Sequence, residues 1–432
     1  MVKVAPWGRL ESPEHDARLL SDRRKVGSAA GGTVPFLVFG NGRSYGDVCL
    51  NPSGRLWLAR GLDRFISFDD AKGLLRCEAG VLLRDIQSLA MPRGWSLAVM
   101  PGTQFVTVGG AIANDVHGKN HHAQGCFGNH VRSLLLHRSD GSQRVCSPVE
   151  NPEWFSATVG GLGLTGAISE AELQLRRVPG AWLETQTRTY RNLEGFLELA
   201  DASEADWEHT VSWIDCSYGR GERGVFLRAR PDATCTITPK SRRSLSVPIV
   251  PPVSLVNALT LRAFNAGYFL LHRAKTGSRR VAQERCLFPL DAIENWNRLY
   301  GSRGFYQYQC VVPRDGGIDA MRSMLRAIHK AKQGSFLTVL KTFGRIPSVG
   351  MLSFAKWGIT LAVDFPNHGG PTLRLLQSMD SIVREYGGRL YPAKDARMPR
   401  ALFEEGYPRL NEFRRFRDPG IRSGMSQRLM DA

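Results

Sequence analysis

The segment 107–129, TVGGAIANDVHGKNHHAQGCFGN, constrains the fold of this chain more than any other feature. It carries five glycines and three histidines, and apolar stretches lie on either side of it. Glycine loses more conformational entropy on folding than any other residue, so such a cluster indicates backbone that adopts positive φ or lies against a ligand. A glycine-rich surface loop is the alternative if this segment is taken alone.

Two further glycine-rich turns favour a bound ligand. The apolar run 35–39 predicts a short buried strand that leads directly into the turn 40–47, GNGRSYGD. The segment 159–166, VGGLGLTG, precedes an alternating, strand-like run at 167–175. Backbone N–H groups in turns of this kind bind a pyrophosphate without a lysine or a metal. We therefore expect a dinucleotide cofactor, with a flavin dinucleotide as the candidate.

The two common phosphate-loop motifs do not fit these turns. None of the three contains GxxxxGK[ST], which argues against a P-loop nucleotidase. A Rossmann fingerprint needs GxGxxG between a strand and a helix. Gly40, Gly42 and Gly46 have the wrong last spacing, and residues 47–49 show no helical pattern.

Eight short segments resemble the vanillyl-alcohol oxidase superfamily and, within it, the decaprenylphosphoryl-β-D-ribose 2-oxidase family. They are GRSYGD at 42–47, MPGT at 100–103, TVGGAIA at 107–113, HGKNHH at 117–122, GFYQYQ at 304–309, KTFG at 341–344, VDFP at 363–366 and GGRLYPAKD at 387–395. The resemblance spans nearly the whole chain. It implies an α+β, two-domain fold in which an FAD-binding domain carries a substrate (cap) domain with an antiparallel sheet backed by helices.

The family resemblance also implies an activity. It is the FAD-dependent oxidation of the ribose 2-hydroxyl of a polyprenylphosphoryl-β-D-ribose to the 2-keto sugar, with hydride transfer to flavin N5 and a lysine as base. A separate NAD(P)H-dependent reductase would complete the epimerisation to the arabinose donor of cell-wall arabinan.

Roles for individual residues follow from the matching positions. The resemblance implies catalytic roles for Lys394, Lys119 and His117, and substrate contacts from Tyr45, Gln307, Gln309, Lys341 and Thr360. It implies cofactor contacts from Gly40, Gly42, Arg43, Ser44, Tyr45, Gly102, Thr103, Thr107, Gly109, Gly110, Ala113, His117, Gly118, Gly163, Ile168 and Tyr391.

Three positions depart from the family pattern. Arg43 stands where many superfamily members attach flavin covalently through a histidine, so we expect non-covalent FAD. Ala362 replaces a cysteine of the mycobacterial enzymes, so inhibitors that capture that thiol should not attach here. Phe288 replaces a tyrosine beside the lipid or sugar end of the pocket.

Length and periodicity predict the organisation of the chain. A chain of 432 residues exceeds the size of one growing core, so we expect two domains. The predicted boundaries are 1–181 for the first part of the FAD-binding domain, 182–388 for the cap domain, and 389–432 for a return to the FAD-binding domain. Helical spacing of apolar residues predicts helices over 82–90, 318–328 and 373–383, and strands are predicted over 305–312, 335–343 and 359–365.

Strand alternation sorts candidate site residues by face. In the strand 305–312, Gln307 and Gln309 share one face, and sugar hydroxyls are suitable partners for two adjacent amides. In the strand 335–343, Lys341 shares the face of Leu337 and Val339. It either extends to solvent at the strand end or neutralises a phosphate or assists chemistry.

Lys394 is our candidate base. Alcohol oxidation requires a group that accepts the hydroxyl proton, and a lysine does so only if its pKa is lowered by burial or nearby cations. Lys119 and Lys341 are the candidate cations. An exposed lysine beside Asp395 and Arg397 is the alternative.

The net charge of +17 favours anionic partners. No nucleic-acid reader motif accompanies it, so we expect no nucleic-acid partner. Basic residues concentrate at 240–243 and 273–285 and flank the apolar segment 245–271. This pattern is typical of peripheral contact with an anionic membrane, although solvated cations on a mobile loop explain it equally well.

Other sequence features restrict location and metal binding. No apolar run of about 18 residues and no secretory signal is present, so we expect a protein of the cytoplasm or the membrane surface. Eight cysteines without metal-finger spacing are expected to be thiols. The histidines at 117, 121, 122 and 130 have only Asp115 and Cys126 nearby, so we expect no metal.

Two alternative functions remain open at this point. One is a soluble alditol or sugar-lactone oxidase of the same superfamily. The other is a non-catalytic basic protein that binds membranes or nucleic acid.

Overall fold

The computed structural model of the chain describes residues 1–31, 34–52, 54–217, 222–235, 239, 244–274 and 277–431. The strands of these residues are β1 (Val2–Lys3), β2 (Glu14–Leu19), β3 (Phe36–Phe39), β4 (Arg55–Leu58), β5 (Phe65–Asp69), β6 (Leu74–Glu78), β7 (Trp95–Leu97), β8 (Val131–His137), β9 (Gln143–Cys146), β10 (Ala167–Arg177), β11 (Trp182–Tyr190), β12 (His209–Ile214), β13 (Gly224–Pro231), β14 (Leu245–Ser246), β15 (Gly277–Ala282), β16 (Ile293–Glu294), β17 (Phe305–Val312), β18 (Thr338–Phe343), β19 (Gly358–Pro366) and β20 (Arg389–Leu390). The α-helices are α1 (Val26–Ala30), α2 (Leu83–Ala90), α3 (Val108–Ala113), α4 (His121–Gln124), α5 (Pro152–Thr158), α6 (Leu193–Asp201), α7 (Ala258–Ala274), α8 (Gln283–Leu287), α9 (Gly317–Lys330), α10 (Gly370–Glu385), α11 (Arg400–Gly406), α12 (Leu410–Arg414) and α13 (Gly424–Leu429).

Three larger sheets organise the strands. The first has the order β1-β2-β4-β3 and is parallel except where β1 meets β2. The second has the order β5-β6-β10-β8-β9, with β7 also paired to β10. The third is antiparallel throughout and has the order β15-β11-β13-β12-β18-β19-β17-β20. The predicted α+β class is confirmed by this mixture of antiparallel sheets and helices.

The eight-stranded sheet has one helix-covered face. On β17, Tyr308 and Cys310 are buried in one core cluster with Met321 and Met324 of α9 and with Leu376 of α10. Because side chains alternate along a strand, Gln307 and Gln309 point to the opposite face. The predicted division of these residues between two faces is therefore confirmed.

The predicted elements mostly match the observed bounds. The helix predicted over 373–383 lies within α10, which ends in a Schellman motif where Gly388 N donates to Val383 O and Gly387 N donates to Arg384 O. The strand predicted to start at 335 begins instead at Thr338, because the Ser335 hydroxyl accepts from Leu337 N in a local turn that replaces strand pairing.

The end of the chain returns to the first glycine turn. Ile421 forms a β-bridge with Phe36, at the start of the strand that leads into this turn. Arg428 of α13 donates to the carboxylates of Asp47 and Asp395, both at 2.9 Å. This double ion pair joins the turn 40–47 to the loop that carries Lys394. The predicted domain boundaries remain predictions.

Gly46 permits the close packing of these two segments. A Cβ at this position would lie 2.0 Å from Asp395 O, so any other residue would push the loop away. The backbone N–H of Tyr45 donates to Ala393 O at 3.0 Å and completes the contact. Tyr45 and Lys394, which are about 350 positions apart in the sequence, are thereby held close together.

Three further observations concern membrane-spanning helices, the cysteines and possible metal ligands. No helix in the described ranges combines the length and apolarity needed to cross a bilayer. All eight cysteines are unpaired. Within the same ranges, no three His, Cys, Asp or Glu side chains are grouped as a metal site. The predicted basic cluster at 240–243 lies outside the described residues.

Candidate active site

A cavity of about 550 Å³ lies between the glycine-rich turns and the open face of the eight-stranded sheet. Every residue predicted above for cofactor, substrate or catalysis lines it, except Thr360. Thr360 is buried on β19, and its hydroxyl accepts from Gln309 Nε2 at 3.5 Å. Thr360 shares the cavity-facing side of β19 with Ala362 and lies beside the Gln309 amide, and its expected substrate contact stays a prediction.

The first glycine turn offers unused backbone donors. The N–H groups of Gly42, Arg43 and Ser44 donate to no acceptor in the described part of the chain. The carbonyls of Ser44 and Tyr45, in contrast, accept from Trp7 N and Gly8 N. Three adjacent free N–H groups beside a cavity form an anion-binding nest of the kind that holds a pyrophosphate.

The third glycine turn, 159–166, exposes bare backbone to the cavity at Gly163. Gly163 has φ of +76°, in the left-handed region, and a Cβ there would meet no atom within 4 Å. Only glycine adopts this conformation without strain. The bare backbone therefore forms part of the cavity wall.

His117 carries an unpartnered polar atom into the cavity wall. Gln309 Nε2 donates to His117 Nε2 at 3.0 Å, so the proton of the neutral ring lies on Nδ1. Nδ1 is buried and has no partner among the described residues. Burial, and then the charge of Lys341, holds the pKa of His117 well below its usual value, so the ring is neutral. This buried N–H is therefore available to an acceptor on a bound ligand.

Three lysines reach the same cavity but differ in their partners. Lys119 Nζ donates to Cys286 O at 2.7 Å and Leu287 O at 2.8 Å. Lys341 Nζ donates to Gly118 O at 2.8 Å. Burial lowers the pKa of Lys341 to about 7, with further lowering from Lys119 and Lys394.

Lys394 is the lysine without a hydrogen bond. In the described ranges its ammonium group contacts no acceptor, and Nζ lies 3.8 Å from the ring centroid of Tyr45. Burial lowers the pKa of Lys394, while the charge of Asp364 raises it. Burial, one of the two predicted causes, lowers this pKa, and Lys394 and Lys341 also repel each other, because the charge of Lys394 lowers the pKa of Lys341.

Asp364 is the site residue that the sequence reasoning missed. It is buried on β19, where it accepts from Gln307 Nε2 at 2.6 Å and from Tyr300 Oη at 3.4 Å. Burial raises its pKa. A lone carboxylate in the otherwise apolar strand GITLAVDFP was the available signal.

The positions that depart from the family pattern occupy distinct places. Ala362 lines the cavity, so a thiol at this position would face the ligand space. Phe288 is buried in a core cluster, while its neighbours Leu287 and Pro289 line the cavity.

Comparisons with known proteins agree with this site. A family model described as an FAD binding domain matches residues 26–147. Decaprenylphosphoryl-β-D-ribose oxidase of Mycolicibacterium smegmatis is 35% identical over 99% of this chain and 97% of its own length. L-gulonolactone oxidase of Mus musculus is 30% identical over 32% of this chain and 31% of its own. Delta(24)-sterol reductase of Homo sapiens is 30% identical over 26% of this chain and 21% of its own.

The residues of the cavity fit FAD. The free N–H groups of the turn 42–44 suit its pyrophosphate, the bare backbone at Gly163 permits close approach, and the unpartnered His117 Nδ1–H offers a donor to the polar edge of the flavin ring. The mycobacterial oxidase matches nearly the whole chain, including the segments that carry these residues. The chain is therefore an FAD-dependent oxidoreductase that belongs to the decaprenylphosphoryl-β-D-ribose oxidase family, within the vanillyl-alcohol oxidase superfamily.

Proposed function

We propose that this protein oxidises the ribose 2-hydroxyl of a polyprenylphosphoryl-β-D-ribose to the 2-keto sugar. The product would be reduced by a separate NAD(P)H-dependent enzyme to the arabinose epimer for cell-wall arabinan. The mycobacterial relative, a decaprenylphosphoryl-β-D-ribose oxidase, supports the substrate class. The observation that carries the chemistry is Lys394, a half-buried lysine without a hydrogen-bond partner in the described ranges, which lines the same cavity as two glutamines suited to sugar hydroxyls.

Lys394 is proposed to accept the proton of the reacting hydroxyl. FAD, when bound, supplies the two-electron acceptor for the alcohol. As the C2–H bond breaks, the O–H proton must leave for a carbonyl to form, and neutral Lys394 takes it at Nζ. Burial favours this neutral form because it lowers the pKa of the group. The ring of Tyr45, 3.8 Å away, then stabilises the ammonium that results.

The two glutamines are proposed to orient the sugar. Gln307 Nε2 donates to Asp364 at 2.6 Å, and Gln309 Nε2 donates to His117 at 3.0 Å. With both amide nitrogens engaged, each Oε1 is left as the acceptor for a sugar hydroxyl. This arrangement favours a polyol ring over an apolar alcohol.

A nearby apolar surface is proposed to contact the membrane that holds the lipid-linked substrate. Its exposed side chains lie between residues 245 and 271, and each exposes 45–79% of its surface: Leu245, Ile249, Val253, Leu255, Leu259, Phe264, Leu270 and Leu271. The stretch 244–274 contains arginines but no Asp or Glu. A segment of exposed apolar side chains in which every Asp, Glu, Lys or Arg position is an arginine is suited to contact with a bilayer of anionic lipid.

The substrate class is tested by anaerobic titration of the purified flavoprotein. Farnesylphosphoryl-β-D-ribose should bleach the flavin absorbance, whereas xylitol and L-galactono-1,4-lactone should not. Reduction of the product with borodeuteride should place deuterium at C2 of the sugar. Bleaching by xylitol or the lactone, but not by the lipid-linked ribose, would instead identify a soluble alditol or sugar-lactone oxidase.

A further inference from the structure

The side chain of Arg43 is a cation at the cavity that forms no ion pair with any described residue. Its guanidinium carbon lies 4.2 Å from the ring centroid of Trp7 and 5.4 Å from that of Phe105, and all three residues line the cavity. Nε is buried without a hydrogen-bond partner. No hydrogen bond or ion pair joins this guanidinium to any residue in the described ranges. Two aromatic rings thus fix the guanidinium while its donors stay unused.

Such an arrangement is costly unless a ligand completes it. A buried donor that loses water without gaining an acceptor destabilises the folded protein. The carboxyl group whose charge acts on Arg43 is that of Asp291, which raises the pKa of the guanidinium. Asp291 Oδ2 accepts a hydrogen bond from Gln104 N at 2.9 Å. Burial raises the pKa of Asp291, while the charge of Arg43 lowers it. With no hydrogen bond or ion pair in the described ranges, the guanidinium is available to an anion from outside the chain.

Arg43 lies between the proposed base and the exposed apolar surface. On one side, it is two residues from Tyr45, whose ring supports Lys394. On the other side, Trp7 packs edge-on against Trp296 at 5.8 Å.

The path continues from Trp296 to the apolar surface. Ile293, three residues before Trp296, lines the cavity and is 38% exposed. It pairs with Leu245, where the exposed surface begins. The order along this path is proton acceptor, cation, aromatic pair and apolar surface.

We propose that the Arg43 guanidinium binds the phosphodiester of the lipid-linked sugar and sets the distance between lipid and C2. This inference rests on the proposed function. The backbone of the turn 42–44 holds the cofactor, while the Arg43 side chain holds the substrate, and Trp7, Trp296 and Ile293 contact the first isoprene units. A phosphodiester suits this residue because a guanidinium binds phosphate through two parallel hydrogen bonds. The cofactor pyrophosphate has the same chemistry, so the experiment must separate the two.

The test compares R43Q with R84Q. Arg84 also lies over the Phe105 ring, at 5.3 Å, but its side chain is 51% exposed and does not line the cavity. Three quantities are measured: the Kd for FAD, the Kd for farnesyl phosphate by calorimetry, and kcat and KM for farnesylphosphoryl-β-D-ribose. For R43Q we expect unchanged FAD affinity, farnesyl phosphate binding weakened by about 10- to 100-fold, KM raised to match and kcat nearly unchanged. R84Q should match the wild-type protein.

Two results would overturn the proposal. One is loss of FAD affinity in R43Q with farnesyl phosphate binding unchanged, which would assign the side chain to the cofactor. The other is an equal loss of farnesyl phosphate binding in R43Q and R84Q, which would indicate general charge attraction. If R43Q does not fold, R43K replaces it. Lysine keeps the charge without the planar fork, so farnesyl phosphate should bind R43K more weakly than wild type, and equal affinity would refute the inference.

The same data separate this inference from the proposed function. If the lipid-linked ribose bleaches the wild-type flavin but KM is unchanged in R43Q, the phosphate assignment fails and the function stands. If farnesyl phosphate binds in an Arg43-dependent manner but the ribose is not oxidised, the function fails and the phosphate site stands.

Discussion

Replacing Asp364 with asparagine should shift the pH dependence of catalysis toward lower pH. The change removes the negative charge that raises the pKa of Lys394, yet it keeps the shape of the side chain. Asn Oδ1 can still accept from Gln307, and its amide nitrogen can donate to Tyr300 Oη in place of the present bond. The packing of the site should therefore remain intact.

The size and sign of the shift follow from the geometry. An opposite charge within about 4–6 Å changes a pKa by roughly 1–3 units, and Asp364 makes no ion pair with Lys394 within 4 Å in the described ranges, so we expect about one unit. One unit corresponds to about 1.4 kcal/mol. The neutral lysine is the active form, so the rate rises with pH and levels off above the pKa of Lys394. Without Asp364 that pKa falls, and the rising limb moves about one unit lower.

The assay is anaerobic, single-turnover reduction of the flavin by farnesylphosphoryl-β-D-ribose between pH 5.5 and 9. Asp319→Asn is the matched control, because this carboxylate is 68% exposed and lies on α9 outside the cavity. Lys394→Met should remove the limb and slow reduction by about 10²- to 10⁴-fold, whereas Lys330→Met, at an exposed position of α9, should not. An unshifted limb in D364N, or a shift to higher pH, would refute the assigned coupling between these groups.

Three other predictions test the cofactor, the pocket and the surface. Because Arg43 replaces the histidine of covalent family members, acid precipitation should release FAD into the supernatant; a yellow pellet would show covalent attachment. Ala362 lines the cavity, so Ala362→Cys should gain a covalent adduct with thiol-capturing mechanism-based inhibitors that leave the wild-type protein unmodified, as mass spectrometry would show. Leu259 is 79% exposed, so Leu259→Glu should reduce co-sedimentation with phosphatidylglycerol vesicles several-fold, while Val149→Glu, also exposed but outside the apolar segment, should not. Equal sedimentation of both variants would exclude the 245–271 surface as the contact.

Local sequence patterns were sufficient to predict some parts of the site. Period-two alternation put Gln307 and Gln309 on one shared face, and the family motif GGRLYPAKD singled out Lys394. All three side chains line the cavity, a placement that could be predicted because each depends on a single strand or loop, while their roles stay predictions.

Other parts of the site depend on how distant segments are aligned. Asp364 meets Gln307 only through the antiparallel register of β17 with β19, which no local pattern specifies. The same register places Thr360 beside Gln309 on the cavity-facing side of the sheet, and its contact with substrate stays a prediction. The sequence pointed to burial or nearby cations as the cause of a lowered Lys394 pKa, but the opposing charge of Asp364 depends on the assembled cavity and was not predicted.

The most direct test of the central claim is a kinetic isotope effect on flavin reduction. Farnesylphosphoryl-β-D-ribose carrying deuterium at C2 should reduce the flavin several-fold more slowly than the unlabelled compound, because the C2–H bond breaks in that step. Deuterium at C3 should leave the rate unchanged. Slowing by the C3 label alone, or no reduction by either compound, would contradict oxidation at C2.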